Sequence, residues 1–281
     1  MKPGQQFYPR SFMARCIYAW LFLILVYFFL NHSLLYQLSL PPLIYIGTDN
    51  TFWLFHLFGL PQFLLQHSGA ALAFDVILTT SCLAFVFIPD RTILAWISVA
   101  GCWILYISYC SAAGHQFAQI GYLLIPLAFL VKDEAKFKLM WKLIRYWVCF
   151  LYFCGGVYKI YYGGFAFDDN MAEILRAMNA EWLFLRPEGW RSETIAYLID
   201  HKAMAQGLYQ LATILDLLMV IGFFTYRFDR WLLISLVIFH FSNYFLLHIS
   251  FVEQSLIFAP FLPWQAIASR IVNPNHNDRS R

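Results

Sequence analysis

Residues 69–110 read GAALAFDVILTTSCLAFVFIPDRTILAWISVAGCWILYISYC. Two runs, 69–89 and 92–110, are mostly apolar, and Pro89-Asp90-Arg91 separates them. A helix that crosses a bilayer needs about 20 consecutive, mostly apolar residues. The pair reads as two antiparallel membrane helices joined by a short polar turn.

The same reading extends outward along the chain. Apolar runs of spanning length fall at about 16–38, 69–89, 92–110, 114–131, 141–162, 204–225, 231–250 and 253–269, the fourth and eighth being the shortest. Tyr226-Arg227-Phe228-Asp229-Arg230 separates the sixth and seventh. The expected fold is an all-α integral membrane protein, a polytopic bundle of about eight transmembrane helices with interfacial helices on the outer side. Two segments are too short or too polar to cross. One, about 39–68, holds Pro41-Pro42 and the run Phe52-Trp53-Leu54-Phe55-His56-Leu57-Phe58. The other, about 163–203, carries helical apolar spacing from Met171 to Leu185 and suits a helix lying on the membrane surface.

Composition agrees. Of 281 residues, 61% are hydrophobic and 12% charged, where a soluble domain has about 25% charged. No long polar linker divides the chain, so 1–281 reads as one domain with a core at about 10–268 and a short polar tail at 269–281. Net charge is +3, and no basic run with interleaved aromatics points to nucleic acid. Cys16, Cys82, Cys102, Cys110, Cys149 and Cys154 lie in or beside apolar runs without a CxxC pair, which suits packing better than disulfides or zinc. The run from Cys16 to Leu30 follows Lys2, Arg10 and Arg15 as a signal sequence would. No small-residue cleavage site follows it, so it reads as a retained first helix.

Most of the 19 Lys and Arg fall on one side of an eight-span arrangement. Only Arg176, Arg186, Arg191 and Lys202 fall on the other side, and Lys159 lies within the fifth helix. The positive-inside rule then places both termini in the cytoplasm.

Ionisable groups at membrane depth usually face the bundle interior and mark function. The candidates are Asp75, His115, Lys159, Asp216, His240, His248 and Glu253. Lys159 follows Gly155-Gly156, which admits close approach of another helix or a ligand. A lysine desolvated in an apolar pocket serves as base or nucleophile. Its bland reading is snorkelling to the headgroups. His115, at the start of the fourth helix, suits a proton-exchanging partner or an interfacial residue. His240 and Asn243 share a face of the seventh helix, as ligand contacts or as hydrogen-bonding glue between helices. His248 lies near that face. Asp75 and Asp216 sit mid-run, where a carboxylate needs a partner, structural or proton-relaying. Glu253 is the weakest candidate. No histidine and carboxylate spacing makes a metal site, and no phosphate loop or nucleophile elbow occurs.

Taken together, three motifs resemble a known family. Tyr152-Phe153-Cys154-Gly155-Gly156-Val157-Tyr158-Lys159-Ile160 is similar to an aromatic-Gly-x-x-Lys-aliphatic pattern. Leu215-Asp216-Leu217 with Ile221-Gly222-Phe223-Phe224 follows, then Phe239-His240-Phe241-Ser242-Asn243, similar to Phe-His-x-x-Asn. This order resembles the membrane portion of vitamin K-dependent gamma-carboxylase and the wider bacterial group called the horizontally transferred transmembrane domain (HTTM). The likeness covers about 10–268 and is specific in the second half.

The resemblance implies a bacterial inner-membrane enzyme that binds a vitamin K-like quinol. Lys159 matches the lysine that deprotonates it, and His115 matches an assisting histidine. His240, Asn243, Asp216 and Tyr158 would surround the bound cofactor. Activity of the carboxylase or quinol-oxidoreductase kind follows as an expectation, with membrane lipid and a secreted peptide as partners. The family's acidic-aromatic continuation after the lysine is replaced here by Tyr161-Tyr162-Gly163-Gly164-Phe165. Only a short polar tail follows Trp264, so the luminal domain that engages peptide is not expected. A different reading makes the chain a non-enzymatic partner in the maturation of, or immunity to, a secreted peptide, with 163–203 as contact surface. A transporter ranks last, because no internal repeat is visible.

Overall fold

The computed structural model describes residues 10–38, 50–113, 120–167, 169–249 and 252–272. In chain order the helices are α1 (Arg10–Leu30), α2 (Leu35–Leu38), α3 (Asn50–Phe58), α4 (Leu60–Gln66), α5 (Ser68–Phe87), α6 (Thr92–Ala113), α7 (Ile120–Leu124), α8 (Glu134–Tyr161), α9 (Asn170–Leu185), α10 (Trp190–Asp200), α11 (Lys202–Leu218), α12 (Ile221–Phe224), α13 (Asp229–Leu247) and α14 (Trp264–Val272). No strand occurs among the described residues.

Six helical stretches there are long and apolar enough to cross a membrane: Arg10–Leu38, Ser68–Phe87, Thr92–Cys110, Glu134–Tyr161, Lys202–Phe224 and Asp229–Leu247. Their outward faces are apolar too. Leu30, Phe87, Trp96, Phe150, Leu211 and Phe241 are all exposed. Apolar surface on that scale has no place in water and fits lipid. The chain is an all-α, multi-pass membrane protein.

The expected fourth and eighth spans are not continuous helices where they are described. The fourth consists of α7 and a 3₁₀ turn, Ile125–Leu130, with Pro126 at its start. The eighth consists of a 3₁₀ stretch, Ser255–Phe261, with Pro260 inside it, and then α14 after Pro263. Proline removes a backbone donor and clashes with the preceding turn, so neither stretch propagates as one helix.

The chain packs as two compact units, where the sequence reads as one domain. The first comprises Met1–Trp141, Val252–Ala259 and Pro263–Arg281. In it α1 buries Met13, Ile17, Leu21 and Ile24 at helical spacing, and its main neighbour is α5. Between α5 and α6, Ser81 and Ser98 hydrogen-bond at 3.0 Å, and Gly101 admits Leu78, which a Cβ would meet at 2.7 Å. Arg10 donates to the carbonyls of Phe129 and Val131, both at 3.0 Å, and so closes the end of the 3₁₀ turn. Gly121 lies against the backbone of Gln254, where a Cβ would come within 2.5 Å of its carbonyl oxygen. The two proline-broken stretches therefore touch at backbone distance.

The second unit comprises Lys142–Phe251 and Pro260–Leu262. One stripe of α8 organises it. Arg145, Cys149, Tyr152, Gly156 and Lys159 recur at the three- and four-residue spacing that keeps side chains on one helical face. Arg145, 1% exposed, is no cytoplasmic surface charge. It donates to the carbonyls of Gly222 and Thr225 and to Asp229. Gly222 is required there, because a Cβ would collide with Cys149 Sγ. Further along, α9 and α10 pack Met171, Leu175, Ile195, Leu198 and Ile199 into a cluster with Ala205 of α11. The helix expected over 171–185 is present as α9, and α10 is an element the sequence reading did not single out.

Candidate functional site

A cavity of about 290 Å³ opens in the second unit beside α9, α11 and α13. Its walls are almost entirely aliphatic, from Ile174, Leu208, Leu215, Ile238 and Leu246 among others. Polar atoms come from few residues: Lys159, Tyr209, Ser242 and Asn243. An apolar chamber with a few convergent polar groups is the usual form of a small-molecule site.

Lys159 reaches this wall because of the glycines before it. A Cβ on Gly156 would stand 3.0 Å from the Leu217 side chain and 3.1 Å from Asp216 Cβ. With hydrogen there instead, α8 and α11 approach closely enough for Lys159 Nζ to donate to Asp216 Oδ2 at 2.7 Å. The carboxylate side is 6% exposed and the lysine 23%. Lys159 Nζ also lies 5.1 Å from the ring centre of Phe239 and 5.6 Å from that of Tyr209. Aromatic faces attract a cation and exclude water from it. The lysine does not snorkel free. It is held by one carboxylate and two rings, with part of its surface facing the cavity.

The other predicted residues divide. Asn243 joins Lys159 in the lining. Asp216 acts through Lys159. His240 turns elsewhere: its Nε2 and the Tyr152 hydroxyl are hydrogen-bonded at 2.5 Å. Tyr152 lies two turns before Lys159 on the same α8 face, about 10 Å along the axis. The Tyr158 ring is 61% exposed and packs on Tyr162 at 4.3 Å, away from the cavity wall. His115 lies outside the described residues. Tyr209 contributes to the site without having been singled out, and Ser242 and Phe239 contribute from within the motif around His240 without having been named as candidates. An ordinary hydroxyl on an apolar helix, such as that of Tyr209, carries no signal of its own in one sequence.

The remaining candidates have local roles. Asp75 accepts hydrogen bonds from the amides of Leu35 at 3.3 Å and Tyr36 at 2.8 Å, so its partner is the backbone of α2. His248 caps α13 in the left-handed conformation, φ 57°, and contacts Arg191. Glu253 is 4% exposed in the first unit. Among the described residues no group of three His, Cys, Asp or Glu comes together to hold a metal ion.

Compared with protein-family models, with curated proteins and with solved structures, the chain matches none.

Proposed function

We propose that this chain is a membrane enzyme of the HTTM kind, which binds a quinone-like lipid in the cavity beside Lys159 and uses the Lys159–Asp216 couple to take up a proton. The observation that carries the reading is the ion pair itself: an ammonium and a carboxylate at 2.7 Å on the wall of an aliphatic chamber. Such a pair is a weak source of stability, because desolvation offsets much of the attraction. Ionisable groups kept at membrane depth despite that cost usually have a function.

The residues fit a ring-and-chain amphiphile. The chamber is large enough for a single ring system, its aliphatic walls suit a prenyl-type chain, and Asn243 and Ser242 offer hydrogen bonds to ring oxygens. A bound quinol supplies acidic hydroxyls on an apolar ring. Moving a proton from Nζ to Oδ2 within the pair would leave a neutral amine facing the chamber, where Lys159 would be placed to accept a hydroxyl proton as general base and then to stand as a counter-charge. Tyr209 and Phe239 flank Nζ and keep water from it.

The wider topology follows the same proposal. The two proline-broken stretches cross the membrane as interrupted segments, enclosed by protein as irregular backbone at that depth must be. Each has buried residues, Ile125 and Phe129 on one and Leu256 and Ile257 on the other. Eight crossings put both termini in the cytoplasm of a bacterial inner membrane, in line with the Lys and Arg asymmetry. The chain between α8 and α11 leaves and re-enters on one side, which makes α9 and α10 interfacial.

The test is extraction. Organic extracts of the purified protein should contain a quinone in stoichiometric amount. Lys159→Ala and Lys159→Arg should both abolish oxygen-dependent turnover of an added naphthoquinol. Extracts free of quinone, with turnover unchanged in both variants, overturn the reading.

A further inference from the structure

Away from the cavity, two arginines stand over one tryptophan with no carboxylate between them. The Arg186 guanidinium lies 4.6 Å from the ring centre of Trp182, and that of Arg191 lies 4.7 Å from the same ring. Arg191 Nη1 bonds His248 Nδ1 at 2.9 Å, and its Nε donates to the Phe245 carbonyl at 2.9 Å. Its Nη2 is buried and has no partner among the described residues. Neither arginine has an ion-pair partner there. The nearby acids Glu181, Glu188 and Glu193 pair with neither, whereas Arg176 and Lys202 in the same segment do pair, with Glu173 and Asp169.

Both guanidinium groups lie within 4.7 Å of one ring centre, and two positive charges held near one ring attract an oxyanion to that neighbourhood. Further donors converge on the same place. Gly189, the residue before α10, offers no side-chain cap, so the first amides of α10 remain open beside Arg191. The rim is apolar: Phe184 is 83% exposed, Trp190 71% and Leu185 64%. Trp190 stacks on Phe245 at 5.0 Å. This end of the second unit also holds the end of α8, the start of α11 and the end of α13, where three membrane helices begin or finish.

We propose that Arg186 and Arg191, on Trp182, form a binding site for the phosphate of an anionic lipid headgroup, with Phe184, Leu185 and Trp190 set into the acyl boundary. The guanidinium forks match phosphate oxygens in pairs. Arg191, held by His248 and the Phe245 carbonyl, supplies a fixed positive charge, and Arg186 supplies the exposed guanidinium. The site is independent of the Lys159 chamber and holds whatever that chamber binds.

The experiment uses the full chain reconstituted in vesicles of phosphatidylcholine with a minor fraction of phosphatidylglycerol, re-extracted gently and weighed by native mass spectrometry. Retained phosphatidylglycerol should exceed its share of the vesicle. Arg191→Gln also removes a cap on Phe245, so the decisive variant is Arg186→Gln, which breaks no hydrogen bond of its side chain. It should lower the enrichment severalfold, and the double variant should lower it roughly tenfold or more. Arg176→Gln, on α9 and paired with Glu173, should leave it unchanged. Inorganic phosphate should compete better than chloride at equal ionic strength, because screening alone treats them alike. Retained lipid that mirrors the vesicle overturns the proposal. So does an Arg186→Gln protein with undiminished enrichment, or equal loss in Arg176→Gln.

Discussion

Arg145 binds Asp229 at 2.5 Å from the middle of an apolar helix, and the same guanidinium donates to the Gly222 and Thr225 carbonyls. It also lies 4.1 Å from the ring centre of Tyr226. The arginine thus ties α8 to the short α12 and to the start of α13. The carbonyls left at the end of α12 have no partner within their own helix, and the cation satisfies them.

Removing one member of a buried ion pair leaves the other uncompensated. Arg145→Met should therefore destabilise the protein by about 3–5 kcal/mol. Asp229→Asn should do less, because the two carbonyls still hold the guanidinium. Thermal unfolding in a single detergent, followed by intrinsic fluorescence, ranks the two. Equal melting temperatures for Arg145→Met and wild type would remove this arginine from the framework.

How much of this was legible beforehand varies with the kind of signal. The long apolar runs were readable because lipid demands hydrophobicity on every face, and that demand is written in consecutive residues. The pairing of Lys159 with Asp216 was half-readable: each stood out as an ionisable group in an apolar run, but 57 residues separate them. The burial of Arg145 is not legible: it lies among Lys138, Lys142 and Tyr146, where the chain looks like a polar helix end, and only the packing of α12 shows that it points inward. Pro126 and Pro260 are visible as residues, but apolar length alone does not show that they break the helix.

Gly155 and Gly156 are adjacent and should respond differently to substitution. A Cβ at 155 would meet only Asp216 Oδ2, at an ordinary 3.9 Å. A Cβ at 156 would meet Leu217 at 3.0 Å and Asp216 Cβ at 3.1 Å, tighter than normal packing. Gly155→Ala is expected to melt with wild type. Gly156→Ala should lose about 1–3 kcal/mol through overpacking and should part α8 from α11. Unfolding scans of the two variants side by side decide it, and equal effects would place the helix contact elsewhere.

The Lys159–Asp216 pair predicts a non-additive cycle. Lys159→Met strands a buried carboxylate, and Asp216→Leu strands an ammonium beside two rings. Each single change should lose about 3–5 kcal/mol, and the double change should recover most of that loss. The measurement is four melting curves. Simple additivity would mean that the two side chains do not meet in the folded protein. The double variant should at the same time be inactive toward a quinol, which separates the structural role of the pair from its chemistry.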